Sequence, residues 1–540
     1  MADSETLALV SAPLGPEDAF GRGGEDIEQS FIDVGALTAI GAIPKNVTDV
    51  RVLVGRKGSG KTHVLRHIEI RSRAEGRSVT LETLDENFFT DGALVQLRGT
   101  LDSASSITFW LSCWRLAAIS ASLSYFTCLR PDSRAKKAMA DLGVTPDELR
   151  SRFQAFVFPN VDEPFGPVAA LKKQLARHKN FKSTRTLFRE LDFGSAEAEV
   201  GRLLHVYGDI HFLIDGIDEF AWIDPRSWLE PQLGLFKLAF MQQVTRSNIR
   251  KVFLTITLRN YVFSHALRDT QRDRVQIGAG VIPLIWDYDA AEAFLRTRLC
   301  QISELSFARA ERLTGSRPLA GWLGFDDFIP LKRGKRESVE YYLLRHTRCS
   351  PRHVIKLFTN LCQKQNRRSL KGEMLDALDF EDVVREQSRE IAVTTLLTAS
   401  EELLSFVKFS EKMLSDKNQR LSAQAYWIEV VEQGFRDAIM ACGAEIVSRS
   451  ILREHLEIAL ASYAPDHSPA ALISIAEDTL WRSGVVAYPT MERGEPVWRY
   501  TWSEHELGLG KLPDHVSMVG FHPAIVTYCN LEVLEDGPVF

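Results

Sequence analysis

The stretch with the most chemical content is Gly55, Arg56, Lys57, Gly58, Ser59, Gly60, Lys61 and Thr62, which fits GxxxxGK[ST] in full. Glycines at this spacing let successive backbone N–H groups turn inward around phosphates, and a helix that follows presents its positive end. A lysine in Lys61's place reaches the β- and γ-phosphates, and a hydroxyl in Thr62's place completes a magnesium shell. The pattern therefore points to a nucleoside triphosphate, in practice ATP, with Mg2+ as its companion. A glycine-rich turn without ligand is the alternative reading. The apolar run before the loop and the helical pattern after it argue for the phosphate loop.

A second candidate cluster is His211-Phe-Leu-Ile-Asp-Gly-Ile-Asp-Glu219. An apolar strand that ends in acid delivers a carboxylate to the edge of a sheet, where a magnesium-bound phosphate would lie. Asp215 is the expected metal ligand, and Asp218 and Glu219 are placed to orient and polarise an attacking water. An acidic turn after a buried strand is the bland alternative. The next strand ends Thr255-Ile-Thr-Leu-Arg259, so Thr257 and Arg259 are candidates to sense the terminal phosphate, or else a solvated strand end. Pro351-Arg352 opens a helical pattern, where proline suits the first turn and Arg352 could swing over the phosphates. Arg268, Arg272 and Arg274 read more readily as solvated charge than as an arginine finger. Arg493, Trp498, Arg499 and Trp502 could meet nucleic acid, but Glu492 and Glu495 interleave with them.

The elements that must position these groups are legible in outline. Arg51 to Val54 reads as a strand, Lys61 to Ala74 as a helix and Ser78 to Thr83 as a second strand. A mostly helical insertion, about 92–200, is interrupted by a Pro-rich cluster near Phe156 to Pro167. Strand patterns return at His211 to Ile214, Lys251 to Leu258 and Val281 to Ile285, before a helix over Tyr288 to Leu299. Apolar strands alternating with helices imply a parallel sheet covered on both faces, an α/β P-loop core. Segments 337–366 and 379–414 read as helical. Gly484 to Tyr488 and Pro496 to Trp502 form a hairpin after helices, the pattern of a winged helix. The expected organisation is an arm (1–45), a P-loop core (46–300), an α-helical lid (301–400) and a C-terminal winged-helix domain (401–540).

With 540 residues, 45% hydrophobic and 25% charged, the chain has the make-up of a multidomain globular protein. A formal net charge of -6 disfavours an extensive duplex footprint. Seven cysteines without a CxxC pair argue against a zinc site or a disulfide framework and fit a reducing cytoplasm. The acidic start lacks the basic region of an export signal. Thr108 to Cys128, the most apolar stretch, contains Arg115 and reads as a buried helix and not a membrane span.

Several stretches together resemble a family. They are Phe20 to Glu25, Val54 to Thr62, FLIDGIDEF, Leu284-Ile-Trp286, Leu344 to Arg352 and Gly520-Phe-His-Pro523. These are similar to bacterial P-loop ATPases of the AAA+/STAND kind, built as ATPase core, helical lid and winged helix. DGIDE resembles the NACHT-type Walker B, which implies magnesium for Asp215 and hydrolysis for Asp218 and Glu219. Ser-Pro-Arg is similar to the lid arginine of AAA+ proteins and implies that role for Arg352. The strand-four end reads TLR where STAND proteins more often have TSR. The resemblance implies a slow or partner-activated ATPase switch, working as a homo-oligomer or hetero-complex with a separate effector in antiphage defence or signalling. The alternative is a DNA-handling ATPase that uses the winged helix.

Overall fold

The computed structural model describes residues 50–83, 103–177, 188–216, 225–244, 251–269, 280–301, 317–407, 417–461, 468–492, 495–501 and 511–533. The chain divides into two compact units. One contains residues 43–54 and 61–283, and the other contains residues 55–60 and everything from Leu284 onward.

The first unit is built on five short strands, β1 (Val52–Val54), β2 (Ser78–Thr83), β3 (Ile210–Asp215), β4 (Val252–Leu258) and β5 (Val281–Pro283). They pair in parallel in the order β2-β3-β4-β1-β5. Every residue of β3 is buried, which explains why apolar residues stand side by side in Phe212-Leu-Ile214: a strand covered on both faces has no solvent side to alternate with. The expected strands are present with ends shifted by one or two residues. Between β1 and β2 runs α1 (Lys61–Ala74), which buries Val64, Leu65 and Ile68 on one face.

Between β2 and β3 the described residues form α2 (Ser103–Thr127), α3 (Ser133–Leu142), α4 (Pro146–Arg152), α5 (Pro167–Arg177) and α6 (Phe193–Tyr207). Local chemistry fixes their ends. Thr145 and Glu148 form a reciprocal capping box ahead of α4, with Pro146 in its first turn. Helix α2 contains the apolar stretch singled out in the sequence. Trp114 and Phe126 on it are fully buried, and the Trp114 indole N–H donates to Pro231 O at 2.8 Å. Pro231 lies in α7 (Pro225–Val244), which follows β3. Gly234 of that helix admits no side chain, because a Cβ would fall 2.6 Å from Trp110 Cβ. The two helices therefore approach at backbone contact. No helix among the described residues is long and apolar enough to cross a membrane. The unit is completed by α8 (Asn260–Asp269), after β4.

The second unit opens with α9 (Tyr288–Gln301), α10 (Pro318–Leu323) and the short pair β6 (Asp327–Phe328) and β7 (Glu337–Ser338). Next come α11 (Val339–His346), α12 (Pro351–Ser369) and α13 (Ala377–Phe406). Segment 337–366, expected as one helical stretch, is thus a strand and two helices broken at Thr347–Ser350. The break is a backbone one: Arg348 and Cys349 both take positive φ, 56° and 52°, which no right-handed helix accommodates. One apolar core joins these helices through Trp286, Phe294, Tyr342, Phe358 and Phe380.

A second core follows, gathered around α14 (Lys417–Cys442), β8 (Ile446–Ser448), α15 (Arg449–Leu460) and α16 (Pro469–Ser483) with β9 (Val486–Glu492), β10 (Glu495–Arg499), β11 (Met518–Phe521) and α17 (Pro523–Cys529). The hairpin seen in the sequence is the antiparallel pair β9 and β10. It does not stand alone, because β11 and β8 extend it to a four-stranded sheet in the order β10-β9-β11-β8. Trp498 packs against Gly520 in this sheet, where a Cβ would lie 2.5 Å from the indole. That contact gives Trp498 a packing role within the sheet.

Candidate functional site

In the first unit, the sheet's carboxyl edge collects three of the residues singled out above. Strand β1 ends at Val54, the glycine-rich loop follows directly, and Lys61 is the first residue of α1. Asp215 is the last residue of β3 and Arg259 follows β4. All three side chains are largely buried, at 7%, 4% and 3% exposure. Because β4 lies between β1 and β3, the tips of the loop strand and the acid strand are about 9–10 Å apart, two strand spacings. A magnesium–phosphate group is of the size that fits such a gap.

Thr257 of β4 fixes the acid. The register that pairs Ile214 with Ile256 carries Asp215 alongside Thr257, whose hydroxyl donates to Asp215 Oδ1 at 2.7 Å. Four residues back on β3 and two back on β4, His211 and Thr255 make a similar pair at 2.9 Å, and Thr255 donates onward to Val50 O. That leaves His211 Nε2 as the donor and Nδ1 to accept from Ser72 Oγ. Burial, reinforced by Arg51 and Arg77, lowers His211 to about 3, so this imidazole is a neutral brace.

The donor set suits magnesium. Thr62 and Asp215 offer hard oxygens, and magnesium takes only one or two protein ligands, with phosphates and waters supplying the rest. Among the described residues no group of three or more His, Cys, Asp or Glu comes together as a metal-binding cluster. Asp218 and Glu219, the expected water-orienting acids, lie outside the described residues, as do Arg272, Arg274, Arg493, Trp502 and the arm at 20–25.

In the second unit, the loop residues 55–60 are held from outside. Gly58 and Gly60 have φ of +83° and +89°, a conformation that L side chains rarely adopt. Ser59 N–H closes a turn onto Arg56 O at 3.2 Å. The Trp286 indole N–H donates to Ser59 O at 2.9 Å, and Ser350 Oγ donates to Gly58 O at 3.2 Å. Arg56, expected at the phosphates, sends its guanidinium to Arg348 O at 3.2 Å, and burial lowers it to about 10, still charged at neutral pH. Arg348 in turn bonds Thr395 Oγ1 at 2.5 Å and Ser483 O. Arg352 sits beside the loop, where its Cβ would be 3.1 Å from a Cβ added at Gly58.

Sequence reasoning named Arg352 and the loop but gave no role to Trp286, Ser350 or Arg348. The available signal was that all three lie in the stretches Leu284-Ile-Trp286 and Leu344 to Arg352 that carry the family resemblance.

A parallel sheet with a complete GxxxxGK[ST] loop between an interior strand, β1, and the next helix defines an α/β P-loop nucleotide-binding core, here carrying additional helical regions. No family model matches the chain, and no curated protein matches it. Among solved structures it is similar to the Walker-type ATPase PABY2304 of Pyrococcus abyssi, with 13% identity and a TM-score of 0.33 over 90% of this chain and 92% of that one. The class assignment accordingly rests on the chain's own loop and sheet.

Proposed function

We propose that this protein is an ATP-binding and ATP-hydrolysing molecular switch of the AAA+/STAND type. The observation that carries the reading is the loop Gly55–Thr62 after the interior strand β1, combined with an acid, Asp215, held by Thr257 at a nearby strand tip. In this reading Lys61 and the loop amides bind the phosphates, and Thr62 and Asp215 hold Mg2+. Asp218 and Glu219 orient the attacking water, and Arg259 and Arg352 respond to the terminal phosphate. The bound ion would neutralise the developing phosphate charge. Residues 46–300 serve as the core, 301–400 as a lid and 401–540 as a winged-helix domain. The order helix, strand, two helices and hairpin in α14, β8, α15, α16, β9 and β10 supports the last assignment. Turnover would be slow or partner-activated, in a cytoplasmic assembly that acts with a separate effector in defence or signalling.

The test is nucleotide affinity and phosphate release for wild type, Lys61→Ala and Asp218→Ala/Glu219→Ala, with assembly mass recorded in each state. Wild type should turn over, Lys61→Ala should lose binding, and the acidic double variant should bind without hydrolysis. Equal binding by all three with no phosphate release sinks the reading. The same helix-and-hairpin order also suits a DNA-handling ATPase. Steeply salt-dependent DNA binding would select that function, and ATP-dependent assembly without DNA would select the switch.

A further inference from the structure

A phosphate loop works only if its amides face the ligand. In a trans peptide the C=O and N–H point to opposite sides of one plane. Whatever pins a loop carbonyl outward therefore aims the next residue's N–H inward. Two carbonyls of this loop are pinned by side chains remote in sequence, Gly58 O by Ser350 and Ser59 O by Trp286. Their effects differ. The amide of Ser59 is already spent on Arg56 O, so Ser350 shapes the turn. The Ser59–Gly60 peptide carries Trp286 on its oxygen side, and its amide belongs to Gly60. Apart from Gly60 itself and its two chain neighbours, no atom of the described residues lies within 4 Å of where a Gly60 Cβ would be, so the space on that side of the residue is open.

Trp286 is suited to the task. Indole nitrogen is a donor only and cannot switch roles. The ring is 5% exposed and seated edge-on against Phe294 of α9, with centroids 5.5 Å apart at 80°. The donor atom is therefore fixed by packing before any ligand arrives, and the loop need not reorganise on binding.

We infer that Trp286 is a positioning residue for the nucleotide site, aiming the Gly60 amide at the bound phosphates through its hydrogen bond to Ser59 O. The inference rests on the nucleotide-binding reading above. An amide that meets the nucleotide before and during reaction contributes uniform binding. Its loss raises KM and Kd and leaves kcat in place. A purely structural tryptophan behaves otherwise: removing it lowers Tm and the active fraction, hence apparent kcat, and leaves KM alone.

The experiment compares full-length wild type with Trp286→Phe in calorimetric titrations with ADP and Mg2+, steady-state ATP turnover and thermal melting. Expected for the variant is a Kd and KM raised on the order of tenfold, about 1.4 kcal/mol, with kcat retained. Should Trp286→Phe fail to fold, 3-benzothienylalanine at position 286 keeps the bicyclic ring and replaces only the N–H. Unchanged Kd and KM in either variant, with wild type binding nucleotide normally, overturns the positioning role. A loss of kcat and Tm at constant KM does the same. A wild type that binds no nucleotide overturns the function itself, and is seen before any variant is made.

Discussion

Thr257→Val removes a hydrogen bond that holds the candidate metal ligand. Thr257 is fully buried, Asp215 nearly so, and the hydroxyl meets Asp215 Oδ1 at 2.7 Å. Valine keeps the β-branched shape that suits a central strand and removes only the donor. A hydrogen bond to a charged acceptor contributes about 1.5–3 kcal/mol. At about 1.4 kcal/mol per decade this corresponds to a factor of roughly 10 to 150. Groups that orient a metal ligand from behind cost about 10–100-fold in metal affinity or activity when removed, which agrees. The assay is ATP binding and phosphate release across a magnesium titration. Half-saturating Mg2+ should rise by about 10–100-fold, while metal-free nucleotide binding in chelator stays as in wild type. Thr257→Ser, which keeps a hydroxyl on the same strand position, should restore most of the loss. If Thr257→Val has the magnesium dependence of wild type, the bond does not hold a metal ligand and Asp215 has been misassigned.

Gly58→Ala should weaken nucleotide binding by about tenfold or more, since the left-handed backbone costs an L-residue about 1–2 kcal/mol and the new Cβ would lie 2.9 Å from Ser350 Oγ. Titration with ADP checks this, and a variant that binds like wild type would show that the loop changes shape on binding. Acid should destabilise the folded chain below about pH 6.5. Burial lowers His211 to about 3 and holds His346 and His522 well below 6.5, with nearby arginines adding to the effect. The unfolded chain takes up these protons as pH falls through 6.5 and the folded chain does not. Stability present above 6.5 is therefore lost on the way down towards the folded values, by at most about 1.4 kcal/mol per pH unit for each imidazole. Urea denaturation at pH 7 and pH 5.5 should show that loss, and a flat profile would mean that these imidazoles are protonated in the fold.

Much of the architecture was legible because it is encoded locally. GxxxxGK[ST] needs only eight consecutive residues, and α1 begins and ends where its pattern does, at Lys61 and Ala74. The apolar run Phe212–Ile214 marks a strand buried on both faces, and the hairpin β9 and β10 pairs segments only a few residues apart. The elements that were missed carry weak local signals. Strand β8 is three residues long, too short for alternation to show, and it joins β11 only through pairing far along the chain. The break at Thr347–Ser350 contains no glycine or proline until Pro351, so nothing in composition announces two residues at positive φ.

The amino-acid sequence by itself determined which groups could bind a nucleotide: the loop glycines, Lys61, Thr62 and the acid at the end of an apolar strand. Tertiary structure decided what holds those groups still. Setting β4 between β1 and β3 places Thr257 against Asp215, and pairing order depends on packing between strands that no local pattern specifies. Trp286 reaches Ser59, and Ser350 reaches Gly58, across more than two hundred residues of chain. Side-chain type tells what bond a residue can make. Only the folded backbone brings its partner within 3 Å or so, because such contacts arise from the summed packing of whole elements.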